Sequence, residues 1–533
     1  MDSRILLIVA LVLITHFSCN NSNQVPVVEE VEVPKISLDS LTENSIRQLA
    51  IDSIFVKSVK DSTILNFYKS NEMKTFWVSN KMRGHLIETL NNAEEEGLFK
   101  TTFLLDSIAS KEKKIKKLSD EQLIAYDFLL TENLLLYLIK LSTGSLAPKS
   151  IYRDYELKEN VLDYSALLNS FQSESFHQAI KKAVPNHIVY LRLKQALQLL
   201  NEFPEENFTA IRNDGKIELN DSLEQVIAIK NRLQFWGDLQ QSDTITAIFD
   251  EETVLAVQKF QMRHGLAPDG VVGAGTLLAL NKTVYERKMQ IIANMERWRW
   301  YPRDLGEEYA IINIPDYSLH IVKNNDTVRT HKVIVGKPSR RTPVLSSKLS
   351  HLVFNPTWTI PPTIKRNDIV PAVRRNRNYL VEKNMTVYDR NGNVVSPSEW
   401  KESEALSYRY VQSPGPNNSL GLVKFMFPNR FSVYLHDTNS RSFFERANRS
   451  LSSGCVRVQN PFELAEYLLD DKTNWSLDII NEFVKTHKTR DVRMKRDVQI
   501  HLLYWTAWSE NGVLQFRDDL YEKDFELYRL LRN

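Results

Sequence analysis

The hydrophobic period of this chain changes once, near residue 308, and that change limits what it can fold into. Upstream, apolar side chains recur every three or four residues, as in Leu123, Tyr126, Leu129, Leu130 and Leu134, which is the spacing of one helix face. Downstream the period is two. Segments 309–314, 318–322, 328–335 and 351–355 are short, rich in β-formers and separated by Asn, Asp, Gly or Pro. One core cannot be built from both patterns along 533 residues, so three or four units are expected. The fold class that follows is multidomain α+β: helices first, then a mainly-β domain.

Apolar residues make up 42% of the chain, enough for true cores. The 68 Lys and Arg nearly cancel the 66 Asp and Glu, leaving a formal charge of +2. That balance argues against a nucleic-acid partner held by bulk electrostatics.

The first residues read as a targeting segment. Arg4 precedes an apolar run over 5–14, only ~15 Å of helix and half of a bilayer core. A signal peptide over 1–18 fits better than a membrane span. Ser18 before Cys19 resembles a bacterial lipoprotein cleavage site, which makes Cys19 the expected lipidation site and the chain a lipoprotein of the periplasm-facing envelope, anchored to a membrane. Residues 19–40 have no period and read as a tether. A helical domain is expected over 41–212.

Residues 213–283 carry a different helical pattern. Val226, Ile229 and Leu233 mark a helix face that ends near Gly237. Asp250 is placed to cap a second helix, Gly265 to end it, and a third short helix follows over 276–280. Phe249-Asp250, the run Ala256-Val257-Gln258-Lys259-Phe260-Gln261, Gly265-Leu266 and Asp269-Gly270-Val271-Val272-Gly273 together resemble a three-helix peptidoglycan-binding module.

Within the β region, 305–533, residues 361–424 interrupt the alternation with Pro361-Pro362 at one end and Pro414-Gly415-Pro416 near the other. An insertion of that length is expected to act as a lid or binding element. The alternation returns at 431–436, where Ser432, Tyr434 and His436 are expected on the more polar face of a strand. A further strand is expected over 498–508, with a hairpin at Asn511-Gly512.

The chain has two cysteines, Cys19 and Cys455. With lipid on the first, the second has no intramolecular partner, and a lone thiol in an exported protein is either buried and inert or reactive. Cys455 follows Ser452-Ser453-Gly454, small residues that permit a sharp turn able to aim N–H groups at a carbonyl oxygen under attack. A thiol nucleophile needs a nearby base, and His436 lies nineteen residues upstream (455 − 436). Among 11 histidines this proximity alone leaves a structural role open. No His-Glu-x-x-His, Cys-x-x-Cys or Gly-x-Ser-x-Gly is present, which weakens zinc-hydrolase and serine-esterase readings.

His436-Asp437-Thr438 followed by Ser452-Ser453-Gly454-Cys455-Val456-Arg457-Val458 resembles the active-site signature of L,D-transpeptidases with a YkuD-type catalytic domain. Asn294-Met295-Glu296-Arg297-Trp298-Arg299-Trp300, Asn355-Pro356-Thr357-Trp358, the run Gly415 to Gly421 and Gly144-Ser145-Leu146-Ala147-Pro148 are similar to the large YcbB-like multidomain branch, whose scaffold is helical. Ser453 stands where many members carry His, and Asp437 replaces the commoner Gly.

The resemblance implies a Cys455 nucleophile, His436 as general base, the Asp437 backbone carbonyl orienting that His, and Gly454 as a backbone oxyanion donor. It implies Arg457, Tyr434, Ser453 and Trp358 at the substrate. No metal or organic cofactor is implied. The partners are peptidoglycan stem peptides and glycan, with carbapenem-type inhibitors as acyl-donor mimics. The reaction would release terminal D-alanine and form a 3→3 cross-link through a thioester. Water as acceptor would make the enzyme an L,D-carboxypeptidase. A wall-binding lipoprotein without activity is the reading from another class. A papain-type enzyme fits less well, because here the His precedes the Cys.

Overall fold

In the computed structural model, residues 45–52 and 59–532 are described. The expected leader, the Cys19 lipidation site and the tether all lie outside them.

The amino-terminal domain is helical. Its centre is Asp120–Thr143, a 24-residue helix started by a capping box in which Ser119 and Gln122 satisfy each other's backbone N–H groups. Its length and apolarity would suffice to cross a membrane, but 67% of that stretch is buried, so it is the core helix of this domain. Leu123, Tyr126, Leu130 and Leu134 are buried along it as the period requires, and Leu129 is half-buried.

The second helical unit contains Glu224–Phe235, Glu251–Arg263 and Ala274–Leu280. Asp250 caps the middle helix, accepting from the Thr253 N–H at 2.9 Å. A buried helix, Val284–Trp300, then leads into the β domain.

That domain is built on a sheet of twelve strands. Its order begins with Tyr155–Glu156, lent by the helical region, then runs Val344–Lys348, Gln499–Leu503, Glu308–Asn313, Ser318–Lys323, Asp326–Gly336, Val456–Val458, Leu435–His436, Val423–Met426, His351–Phe354 and Arg490–Arg493. Ser450–Ser452 pairs beside Asp326–Gly336. The turn at Asn324-Asn325 has both φ angles positive, as a two-residue hairpin needs.

Two expected strands are corrected. In 431–436 only Leu435–His436 is strand. Asn429 takes the Phe431 and Val433 N–H groups on its side-chain oxygen, and Ser432 turns into the left-handed region, so that stretch cannot join the ladder. The stretch 498–508 breaks into Gln499–Leu503 and Ala507–Glu510, which lie in different sheets. Between them the Tyr504, Trp505 and Thr506 N–H groups go to Tyr301, Asn313 and Asn294 side chains instead of a neighbouring strand.

The insertion has its own small core, including Ile360, Val373, Leu380, Trp400 and Tyr410, and a four-stranded sheet. Its first strand, Trp358–Thr359, starts just before the expected insertion. Lys365 donates to the Leu406 and Tyr408 carbonyls, and Arg374 pairs with Glu402 at the surface.

Candidate active site

Leu435–His436 sits between Val423–Met426, antiparallel, and Val456–Val458, parallel. Leu435 pairs with Val456, and both are buried in the core. The alternation of side chains therefore sends the next residues to the opposite face. His436 pairs with Arg457 on one side and Lys424 on the other. Tyr434 and Cys455, each one residue before a paired position, complete a patch on that face.

The turn before Cys455 is held from behind. Gly454 has φ +115°, and a Cβ there would come 3.3 Å from the Arg341 carbonyl, so glycine is required. The Thr342 hydroxyl donates to the Gly454 carbonyl at 2.9 Å, and the Ser452 hydroxyl donates to the Cys455 carbonyl at 2.6 Å. The Gly454 N–H in turn donates to Ser452 Oγ at 3.1 Å. The Gly454 N–H, expected as an oxyanion donor, thus has an acceptor in this structure. The Cys455 N–H has no hydrogen-bond partner among the described residues.

Cys455 is a free, half-buried cysteine. The backbone and the hydroxyl of Tyr434 both favour its thiolate form. Trp358 acts on that hydroxyl from the insertion side, favouring its ionised form. No hydrogen bond joins Cys455 and His436 among the described residues. Burial pushes the thiol up to about 11, opposed by Tyr434 and Arg457. Burial, helped by the Arg457 charge, pushes His436 down to about 3. At neutral pH both groups therefore rest uncharged.

His436 Nδ1 lies 2.5 Å from the Asp437 carbonyl oxygen. A carbonyl oxygen can only accept, so this contact fits an N–H on Nδ1, and the Leu420 backbone also favours the protonated ring. The Asp437 side chain is buried, accepts the Leu422 N–H at 2.9 Å, and lies where a Cβ on Gly421 would be, 2.4 Å away. Gly421 has φ +63°. The carboxylate thus ties its own peptide unit to the 420–422 loop. Besides its carbonyl contact with His436, Asp437 makes a structural tie of its own through the side chain. Thr438 is buried and lies 3.5 Å from Arg457 Nη1.

Arg457 has no carboxylate partner among the described residues, and its Nε is buried without a hydrogen bond. Ser453 is exposed, and its hydroxyl accepts from Arg340 at 2.8 Å. Arg340 also pairs with Asp368 of the insertion. The structure therefore gathers Cys455, His436, Tyr434 and Arg457 on one face, with Trp358 behind Tyr434, and ties Ser453 to the insertion. Sequence reasoning missed Lys424, although it alternates with buried Val423 and Phe425. It also missed Thr438 as a partner of Arg457. Among the described residues no group of side chains could hold a metal ion.

Residues 307–484 match the L,D-transpeptidase catalytic domain family, YkuD. Residues 307–484 form an L,D-transpeptidase catalytic domain. Residues 62–197 match the family described as "Scaffold domain", and 222–280 the family described as "Putative peptidoglycan binding domain". A Haemophilus influenzae protein named "Putative L,D-transpeptidase" is 39% identical over 219 residues, covering 40% of this chain and 44% of that protein. The chain thus spans less than half the length of that curated relative. An L,D-transpeptidase from Stackebrandtia nassauensis covers 55% of this chain and 97% of its own, at 12% identity and TM-score 0.21. An L,D-transpeptidase solved with imipenem covers 37% of this chain and 59% of its own, at 14% identity and TM-score 0.18. The L,D-transpeptidase domain holds all of Trp358, Tyr434, His436, Ser453, Cys455 and Arg457.

Proposed function

We propose that this chain forms 3→3 cross-links in peptidoglycan through a Cys455 thioester. The observation that carries the reading is the parallel pairing of Leu435–His436 with Val456–Val458, which sets thiol, imidazole and guanidinium on one face.

His436 Nε2 takes the thiol proton as sulfur attacks the carbonyl of the third stem residue. The Cys455 N–H serves as oxyanion donor, in place of the Gly454 N–H. The tetrahedral intermediate collapses, the bond to terminal D-alanine breaks, and the imidazolium returns its proton to the leaving amine. The side-chain amine of a second stem then attacks the thioester, His436 accepts its proton, and the thiol is regenerated. Neutral resting forms suit this sequence, because His436 then moves a proton during attack and stores no ion pair.

Arg457 pairs with a stem-peptide carboxylate, since it lacks an internal one and a guanidinium fits that group in a planar fork. Lys424 adds positive charge on the other side of His436. The insertion covers the substrate and limits access of water to the thioester. Carbapenems acylate Cys455. Cys19 carries lipid and holds the chain to a membrane facing the periplasm. Residues 222–280 hold peptidoglycan.

The test is product analysis with disaccharide tetrapeptides. Dimers with loss of D-alanine support the proposal. Tripeptides alone would make the enzyme a carboxypeptidase, and no reaction would leave a wall-binding protein.

A further inference from the structure

Among the described residues six arginines are buried: Arg83, Arg232, Arg263, Arg287, Arg297 and Arg299. Five face a carboxylate. Arg83 pairs with Glu112 at 3.1 Å, Arg263 with Asp238 at 2.5 Å, Arg297 with Asp524 at 2.5 Å and Arg299 with Glu296 at 3.0 Å, while Arg232 pairs with Glu206. Arg287 has no carboxylate at ion-pair distance among the described residues; Asp518 and Glu286 act on it only from further off. Its guanidinium donates only to neutral groups, the Gln290 side-chain oxygen and the Ala279 carbonyl, each at 3.1 Å. It also lies 4.3 Å over the Phe516 ring. Burial and the nearby Arg263 charge pull it down to about 9. A buried charge without a directly paired counter-ion is costly, and the other five sites show how this chain normally answers that cost.

Arg287 lines a cavity of 230 Å³ between the peptidoglycan-module helix Ala274–Leu280, the connecting helix Val284–Trp300 and the carboxy-terminal segment. The acids around it are mostly committed elsewhere. Glu286 bonds Thr283 and Lys282, Asp519 bonds Tyr504, and Asp524 bonds Arg297 and Thr506. Asp518, also on the lining, has neither a side-chain hydrogen bond nor an ion pair among the described residues, and Leu278 and Phe525 are exposed apolar side chains there. The cavity is below the ~300–1,000 Å³ of a site that engulfs a small molecule, so it suits the end of a longer one.

We propose that this cavity binds a carboxylate of a peptidoglycan stem peptide, with Arg287 as its counter-ion and Asp518 facing a stem ammonium. The inference rests on the proposed peptidoglycan function and adds a second stem-binding site at the junction between module and catalytic domain. The acid-bearing lining disfavours a multiply charged anion such as phosphate.

The experiment uses the full chain, with Cys455 first acylated by a carbapenem and the adduct verified by mass. Failure of that adduct reports on the proposed active site, and the same titration is then run on Cys455→Ala protein. Calorimetry with disaccharide tetrapeptide should show binding that weakens roughly tenfold or more in Arg287→Met and by a similar factor when the stem carboxylates are amidated. Arg287→Met should melt no lower than the parent, because it removes an unpaired buried charge. If that variant fails to fold, native and amidated peptide are compared on Arg457→Gln protein, which lacks the carboxylate partner proposed for the active site. Equal binding of native and amidated peptide, or equal displacement by inorganic phosphate and by acetate, would overturn the proposal.

Discussion

Charge is handled in opposite ways in two parts of this molecule. At the carboxy-terminal end of Val284–Trp300, where helical region and sheet meet, Arg297 and Arg299 are buried and closed by Asp524 and Glu296, whereas Arg287 near the start of the same helix has no ion pair among the described residues. On the catalytic face, Arg457 lies next to His436 with no carboxylate, and Lys424 flanks the other side. At that end the first region closes its charges internally. The second leaves them open, as the acyl transfer to acidic stem peptides proposed above would require.

Cutting into each region should give different losses. The largest effect belongs to the nucleophile pair: Cys455→Ala should form no acyl-enzyme, and His436→Ala should lower turnover by roughly two to four orders of magnitude, read by dimer formation. The junction should respond in stability. Asp524→Asn leaves Arg297 buried and uncompensated, so unfolding free energy should fall by roughly 3–5 kcal/mol in denaturant titrations. Arg457→Lys should instead fold normally, keep its carbapenem adduct and lose ~1.5–3 kcal/mol of transition-state stabilisation with stem peptides. A lowered melting temperature in that variant would move Arg457 into the structural group.

The smallest expected effect, at Asp437, sharpens the comparison within the active face. Asp437→Ala frees the Leu422 N–H and loosens the carbonyl that orients His436, so turnover should fall roughly tenfold to a hundredfold. Nitrogen NMR of His436 should then show loss of the single Nδ1–H tautomer. Asp437→Asn, which keeps an acceptor for Leu422, should recover most of the loss.

The catalytic motif was legible in the sequence because Gly454, Cys455, His436 and Arg457 stand close together in a short signature, and the pairing of two short strands then does the rest. The shift of period near 308 marked the α-to-β boundary, and Asp250 marked a helix start, because both are local effects. Features set by distant side chains were not legible. The strand expected over 431–436 is cut short by Asn429, and that over 498–508 by Tyr301, Asn313 and Asn294, each of which takes a backbone N–H that a neighbouring strand would otherwise bind. The engagement of the Gly454 N–H by Ser452 depends on turn geometry in the same way. The Asp437 contact needs Gly421 sixteen residues away (437 − 421), and no pattern of either residue alone announces it.

The central claim is that a neutral Cys455 thiol is activated during attack by a neutral His436. It is tested most directly by the rate at which a small neutral electrophile alkylates Cys455 between pH 6 and 9, followed by intact mass. With the thiol pushed up to about 11 and the imidazole down to about 3, the thiolate fraction should rise throughout this window, so alkylation should climb with pH without a plateau. Cys455→Ala protein should take no label. A plateau beginning near pH 6–7 would mean a preformed thiolate–imidazolium pair and would contradict the account.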